Sequence, residues 1–228
     1  AAAPSSRGGQ RELEESVLGK GLCTGCGACV NLCPYQASYG DRIVTLHACD
    51  LAEGRCYACC PRTPVDYGAL QRKLYPGKEW TDGVGAVDGF FIARAADEAI
   101  RRQAQHGGTV TALVSLALAE GLIDAAVLAG SGEGLLPTAV TVSDPRAAAG
   151  LAGSRFVVSP TVAEFNRASA TDARRIGVVA TPCQALALAK MRTQQAMPAG
   201  GIDKLQLVIG LFCGWALSWK NLSALLKG

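Results

Sequence analysis

From Gly89 onward the chain alternates short apolar runs with longer stretches whose apolar positions recur every three or four residues. The runs Phe90 to Ala93, Ala125 to Leu128, Ala139 to Val142, Ile176 to Ala180 and Leu205 to Phe212 read as strands. The clearest helical pattern spans Thr109 to Glu120, with Gly121 as its stop, and further helices are predicted over Asp97 to Gln105, Thr161 to Arg167 and Gln184 to Gln195. Strands alternating with helices predict an α/β domain over residues 89–228. Residues 11–67 differ. They show little periodicity and hold eight of the ten cysteines, as expected where metal rather than an apolar core organises the chain. Residues 68–88, with Pro76-Gly77 and Asp82-Gly83-Val84-Gly85, read as a linker. Residues 1–10 read as a disordered tail, and their start without methionine suggests a fragment or a processed product.

The cysteines change the picture most. Cys23-Thr-Gly-Cys26-Gly-Ala-Cys29-Val-Asn-Leu-Cys33-Pro34 matches the C-x-x-C-x-x-C-x-x-x-C-P run of bacterial ferredoxins, in which thiolates two residues apart wrap one face of a 4Fe-4S cubane. Neither a disulfide framework nor a zinc site calls for a Cys-Pro ending at this offset. A second set, Cys49, Cys56, Cys59 and Cys60-Pro61, repeats the x-x-x-C-P step, so the module reads as duplicated. In two-cluster ferredoxins the last cysteine of each run serves the other cluster, which groups Cys23, Cys26, Cys29 and Cys60. The other cluster would take Cys33, Cys49, Cys56 and one more thiol. Cys59 supplies that ligand, or the site keeps three thiolates, or only one cluster is present and Cys59 is a buried free thiol. His47, beside Cys49, is a substitute ligand or a structural residue.

Composition narrows the setting. Hydrophobic residues make up 49% of the 228, ample for a core, and the longest apolar stretches are too short to span a bilayer. The net charge of +3 is spread without a block of like charges, which argues against nucleic-acid binding. Cysteines crowded at metal spacing, with no signal peptide before them, suit a reducing, cytoplasmic location.

In the second domain, Gly107 and Gly108 followed by Thr109, Val110 and Thr111 form a glycine turn opening a helix. Free backbone amides and the helix dipole there would face an anion such as a dinucleotide pyrophosphate, although the same residues also fit a capped helix without a ligand. His106 adjoins this turn. Cys183 and Cys213 each follow a predicted strand, which would bring both to the strand ends where α/β sites form; two buried free thiols are the alternative.

Three segments, Gln105-His-Gly-Gly-Thr-Val-Thr-Ala-Leu with Glu120-Gly-Leu-Ile-Asp, Gly153-Ser-Arg-Phe-Val-Val-Ser-Pro160, and Ala180-Thr-Pro-Cys-Gln184 with Gly210-Leu-Phe-Cys-Gly214, together resemble the coenzyme F420 hydrogenase/dehydrogenase beta-subunit family. The resemblance covers residues 89–228 and implies an α/β domain that binds FAD. It implies roles in cofactor binding for Gly107, Gly108, Thr109, Val110 and Thr111 and for Ser154 and Arg155. It further implies that Cys183 and Cys213 help hold a cluster beside the flavin, completed in the family by a later C-x-x-C segment that does not occur before Gly228. The fold class expected is therefore α+β, a small ferredoxin-like iron-sulfur module followed by an α/β flavin-binding domain.

The function expected is that of an iron-sulfur flavoprotein oxidoreductase subunit. FAD would exchange hydride with a soluble carrier, coenzyme F420 or another donor, and 4Fe-4S clusters would relay single electrons to a redox partner such as a hydrogenase or formate dehydrogenase. No catalytic side chain is named. The competing expectation is a flavin-free ferredoxin-like electron-transfer subunit whose α/β domain serves for docking.

Overall fold

The computed structural model describes residues 7–193 and 201–226. Its centre is a four-stranded mixed sheet in the order β6-β5-β7-β8, formed by β5 (Ala125–Ser131), β6 (Pro137–Val142), β7 (Ile176–Ala180) and β8 (Leu205–Gly210). β5, β7 and β8 run parallel and β6 pairs antiparallel with β5. Because side chains alternate along a strand, β5 divides its residues between two cores. Ala126 and Leu128 pack with Val114, Ala117 and Leu118 of α5 (Thr109–Ala119) and Ala148 of α6 (Pro145–Ala149). Ala125 and Val127 face the other way, toward Val162, Phe165 and Ala168 of α7 (Thr161–Ser169) and Ala187, Leu188 and Met191 of α8 (Pro182–Thr193).

That second core does not stop at the α/β domain. It runs without a break into the N-terminal module, taking in Leu13, Val17, Cys26, Cys29, Ile43, Cys56, Tyr57 and Cys59. The module holds the short helix α1 (Gln10–Leu13), a π-helical turn (Glu14–Leu18), a hairpin of β1 (Gln36–Tyr39) and β2 (Arg42–Thr45), and α2 (Arg55–Cys59). Metal spacing and an apolar core thus coexist in residues that show no apolar period.

The structure corrects several expectations. Residues 1–6 of the expected tail lie outside the described residues, but Gly8, Gly9 and Gln10 are buried. The Gln10 amide donates to the His47 carbonyl at 2.9 Å and accepts from the Cys49 N–H at 2.7 Å, which pins this segment to the second cysteine group. The expected linker carries a helix, α3 (Tyr67–Leu74), started by the Asp66 carboxylate accepting from the Ala69 N–H at 2.8 Å. Leu70 of α3 is buried and the helix packs on α8. Beyond it lies a two-residue hairpin of β3 (Trp80–Thr81) and β4 (Gly85–Ala86).

The run Phe90 to Ala93 forms no strand; Phe90, Phe91 and Ile92 are exposed. Its end is used locally, since the Ala93 carbonyl accepts from the Thr109 hydroxyl at 3.0 Å. The remaining expected strands are present, and the helix expected over Asp97 to Gln105 is α4 (Glu98–Gln103). α8 ends at Thr193, so Gln194 and Gln195 lie outside the described residues. A last helix, α9 (Trp219–Leu225), docks on the module hairpin through the Trp219 N–H and the Asp41 carboxylate, 2.7 Å apart. Among the described residues no helix is long and apolar enough to cross a membrane.

Candidate functional site

The first cysteine loop is built against the start of α7. The Val162 N–H donates to the Cys26 carbonyl at 3.1 Å. The buried Asn166 amide donates to both the Ala28 and Val30 carbonyls, at 3.0 and 2.7 Å, and the Asn31 amide donates to the Ala163 carbonyl at 3.0 Å. Asn31 has φ 63°, a left-handed conformation that asparagine tolerates better than most residues. Gly27 has φ 81°, and a Cβ there would stand 2.8 Å from both the backbone nitrogen and the Cβ of Ala163. The glycine between the cysteines therefore serves the contact with α7 as well as the turn.

None of the ten cysteines is paired in a disulfide. Burial pushes the Cys26 thiol up to about 12, with the nearby Cys183 and Cys60 adding to the rise and the Ala28 N–H opposing it. Cys29 is raised by burial and then by Cys59, Cys26, Cys60 and Cys23. Cys56 is pushed up to about 11 by burial, followed by Cys33 and Cys49. Cys26 thus has Cys183 and Cys60 in its surroundings, Cys29 has Cys59, Cys26, Cys60 and Cys23, and Cys56 has Cys33 and Cys49, although among the described residues no three such side chains stand close enough to hold a single metal ion. The fully buried Cys59 has Cys26, Cys60 and Cys56 as neighbours. It therefore stands against the first cysteine run as much as against the second. Thiols raised in this way lose their protons only to a positive centre, which couples metal binding to proton release. The donor chemistry fits iron-sulfur clusters, since thiolate is the ligand these clusters take.

His47 lies on the surface, its ring edge-on to Tyr35 and its carbonyl held by Gln10.

A cavity of about 1420 Å³ opens at the carboxyl ends of β5, β7 and β8. Larger than the usual range of roughly 300–1,000 Å³ for small-molecule sites, it lies at the sheet edge where α/β proteins bind ligands. Gly107 to Thr111, Ser154, Arg155, Cys183 and Cys213 all line it, and so does Cys23 of the module. Residues spread over most of the chain thus border one space.

Each wall has a local cause. Gly108 precedes α5 with φ 71°, and a Cβ there would stand 2.9 Å from Ile100 Cγ2, so packing as well as the turn requires glycine. The first turn of α5 presents backbone amides, while the Thr109 hydroxyl already donates to Ala93. Arg155 donates to the Ser131 hydroxyl at 3.2 Å and to the Ser154 carbonyl at 3.4 Å. Also lining the cavity, Thr181-Pro182-Cys183-Gln184 opens α8. Proline takes the first helical position, and the Gln184 side chain reaches back to accept from the Thr181 N–H at 2.8 Å. Cys183 therefore sits in the first turn of a helix, and its sulfur is 3.3 Å from the Thr181 hydroxyl. Cys213 follows β8, the parallel neighbour of β7, and is exposed. The segment after β8 folds over the Gly153 to Ser159 loop: the Leu217 N–H donates to the Phe156 carbonyl at 2.7 Å, and the Phe156 and Trp215 rings stack 6.4 Å apart.

Sequence reasoning missed the residues that join the two modules. Asn166 follows Val162 by four residues on the apolar face of α7, and a polar side chain on such a face was the available signal. Lys190 is the other. It lies only 5% exposed on α8 and donates to the Thr63 hydroxyl at 2.6 Å, the Cys60 carbonyl at 2.7 Å and the Pro64 carbonyl at 3.2 Å. Burial lowers its pKa while the neighbouring Cys60 and Cys59 raise it.

Comparison with known proteins places these parts. Residues 90–164 match the family model "Coenzyme F420 hydrogenase/dehydrogenase, beta subunit N-term", residues 173–228 match the corresponding C-terminal model, and residues 18–39 match a 4Fe-4S binding domain. The coenzyme F420 hydrogenase subunit beta of Methanothermobacter thermautotrophicus is 36% identical over 134 residues, which is 57% of this chain and 47% of that protein. The coenzyme F420-dependent sulfite reductase of Methanocaldococcus jannaschii is 25% identical over 225 residues, 92% of this chain and 33% of that protein. A chain from the structure of the F420-reducing [NiFe] hydrogenase complex of Methanosarcina barkeri superposes with a TM-score of 0.56 at 29% identity, covering 59% of this chain and 47% of that one. The chain thus spans between a third and about half of the length of these relatives.

Proposed function

The chain belongs to the coenzyme F420 hydrogenase/dehydrogenase beta-subunit family, and we propose that it is an iron-sulfur flavoprotein subunit joining a soluble hydride carrier to one-electron acceptors. The observation that carries this reading is the single cavity bordered at once by the Gly107 to Thr111 turn, by Cys183 and Cys213, and by Cys23 of the 4Fe-4S module. FAD, when bound, would supply the conversion between two-electron hydride chemistry and one-electron cluster chemistry.

The residues of this chain would do the rest. The first-turn amides of α5 and the hydroxyl of Thr111 suit an anionic diphosphate, and the Arg155 guanidinium, which also lines the cavity, suits a phosphate or a polarised ring edge. Val110, Val114, Leu128, Val157 and Val179 supply apolar wall for a flat ring system. Cys23, Cys26, Cys29 and Cys60 would hold one cluster. Cys33, Cys49 and Cys56 would hold a second, with Cys59 between the two. Cys183, in the first turn of α8, and Cys213 would share in a further cluster beside the flavin. Coenzyme F420 is the carrier that the names of the relatives suggest, and a hydrogenase-type subunit is the suggested redox partner.

Iron, acid-labile sulfide and FAD measured per chain on anaerobically purified protein test the reading. About eight irons with about one FAD are expected, and more iron would bring Cys183 and Cys213 into play. Iron without flavin would leave a ferredoxin-like electron-transfer subunit. Protein with neither would defeat the proposal.

A further inference from the structure

We infer that Lys190 is the buried counter-charge of the iron-sulfur cluster that Cys60, beside Cys59, helps to hold, and that it sets the reduction potential of that cluster. The inference rests on the reading that the cysteine module carries clusters. It comes from a mismatch in the shell around this lysine. A lysine stem is long enough to carry its ammonium to water, yet this one is drawn inward and is 5% exposed. Its three N–H bonds meet three acceptors, the Cys60 carbonyl, the Thr63 hydroxyl and the Pro64 carbonyl, all of them neutral. Among the described residues no carboxylate forms an ion pair with it. Hydrogen bonds satisfy the donors but leave the charge itself unbalanced, and a buried charge without a counter-charge is strongly disfavoured.

The groups that can balance it lie beside it in the fold. The Cys60 carbonyl lies 2.7 Å from the ammonium, and the fully buried Cys59 adjoins Cys60 in the chain. A cubane with four thiolate ligands is an anion in its oxidised form and gains a further negative charge when it accepts an electron. A fixed cation at its edge therefore favours the reduced form and raises the potential, because net charge and local hydrogen bonding set where a cluster titrates. The placement also explains why the lysine is carried by α8. That helix begins at Pro182, carries Cys183 to the cavity in its first turn and Lys190 to Cys60 two turns later, so one rigid element bears both a cavity thiol and the charge behind the cluster.

The test is a redox titration monitored by electron paramagnetic resonance on the anaerobically purified chain, with iron and sulfide measured on every sample. Three proteins are compared: wild type, Lys190→Gln, which keeps N–H donors without the charge, and Lys190→Arg, which keeps the charge. The expected result is unchanged iron in Lys190→Gln, with one cluster signal moved to lower potential and returned toward the wild-type value in Lys190→Arg. Full iron with unmoved potentials in Lys190→Gln would overturn the inference while leaving the cluster reading intact. If Lys190→Gln loses one cluster, retention of that cluster by Lys190→Arg still requires the charge and supports the inference. Loss in both variants would reduce Lys190 to a packing role and overturn it. A wild-type protein without iron would overturn the cluster reading and this inference together.

Discussion

Asn166 holds the first cysteine loop in place with one amide group, whose two hydrogens go to the carbonyls of Ala28 and Val30. Asn166→Ala would leave the buried Ala28 carbonyl without this donor, at about 1–3 kcal/mol, and the partly buried Val30 carbonyl at less. Asn166→Asp would turn the donor into an acceptor facing them and should cost more. Thermal unfolding and iron content of the anaerobic protein check this; a variant with normal values for both would show that the contact is dispensable. The cysteines and Asn166 differ in legibility for a physical reason. The 4Fe-4S module was readable from the cysteine run between Cys23 and Cys33 because that chemistry demands fixed local spacing. Asn166 finds its partners 136 and 138 residues away, and Lys190 finds Cys60 130 residues away, so no window along the chain contains both ends. Gly107 and Gly108 were read correctly as a turn opening a helix, but the contact of Gly108 with Ile100 gives it a packing role that the spacing does not reveal.

At the scale of elements, α7 is the hinge of the arrangement, touching the cysteine loop on one side and β6 on the other. The Thr141 hydroxyl of β6 donates to the Glu164 carboxylate at 2.5 Å, and Arg167 pairs with the same carboxylate. Burial alone would raise the Glu164 pKa, but the hydrogen bonds from Arg167 and Thr141 outweigh it and hold it below the usual carboxylate range. A depressed carboxylate contributes stability that is complete above its unfolded value and is lost as pH falls through the folded one. Glu164→Ala should therefore lower stability by about 1–2 kcal/mol, mostly through Thr141, since the arginine is exposed. The deficit should stay constant from pH 8 to pH 5 in denaturant melts, and a deficit that shrinks within that window would contradict the assignment. Strands β5 and β7 were legible because both faces are covered and their sequences are continuously apolar, and the edge strand β8 because apolar residues dominate it despite the exposed Gln206. Phe90 to Ala93 has the same texture without a neighbouring strand to pair with, a distinction that composition does not carry. α3 was hidden by its mixed polar residues, since only Leu70 is buried.

For the molecule as a whole, the continuous core from Leu13 and Cys26 through Val162 to Ile176 makes the cysteine module and the α/β domain one cooperative body. Removing iron by anaerobic chelation should accordingly loosen more than the cysteine loops. Hydrogen exchange is expected to quicken in residues 161–169 and 182–193 together with residues 23–33, because binding energy at the thiols is also folding energy for what packs on them. Exchange that quickens only before residue 67 would show two independent units. The two textures of the chain, one metal-spaced and one apolar, suggested such units, and the sequence could not show that α7 and α8 bury themselves against the cysteines. The same contacts impose an order on biosynthesis. Asn31 must wait for Ala163, 132 residues later, and at about 5–20 residues per second the ribosome takes roughly 7–26 s to deliver it. The nascent chain thus carries its thiols well before it owns the helix that shapes them, so stable cluster loading follows synthesis of α7 instead of accompanying the cysteines as they emerge.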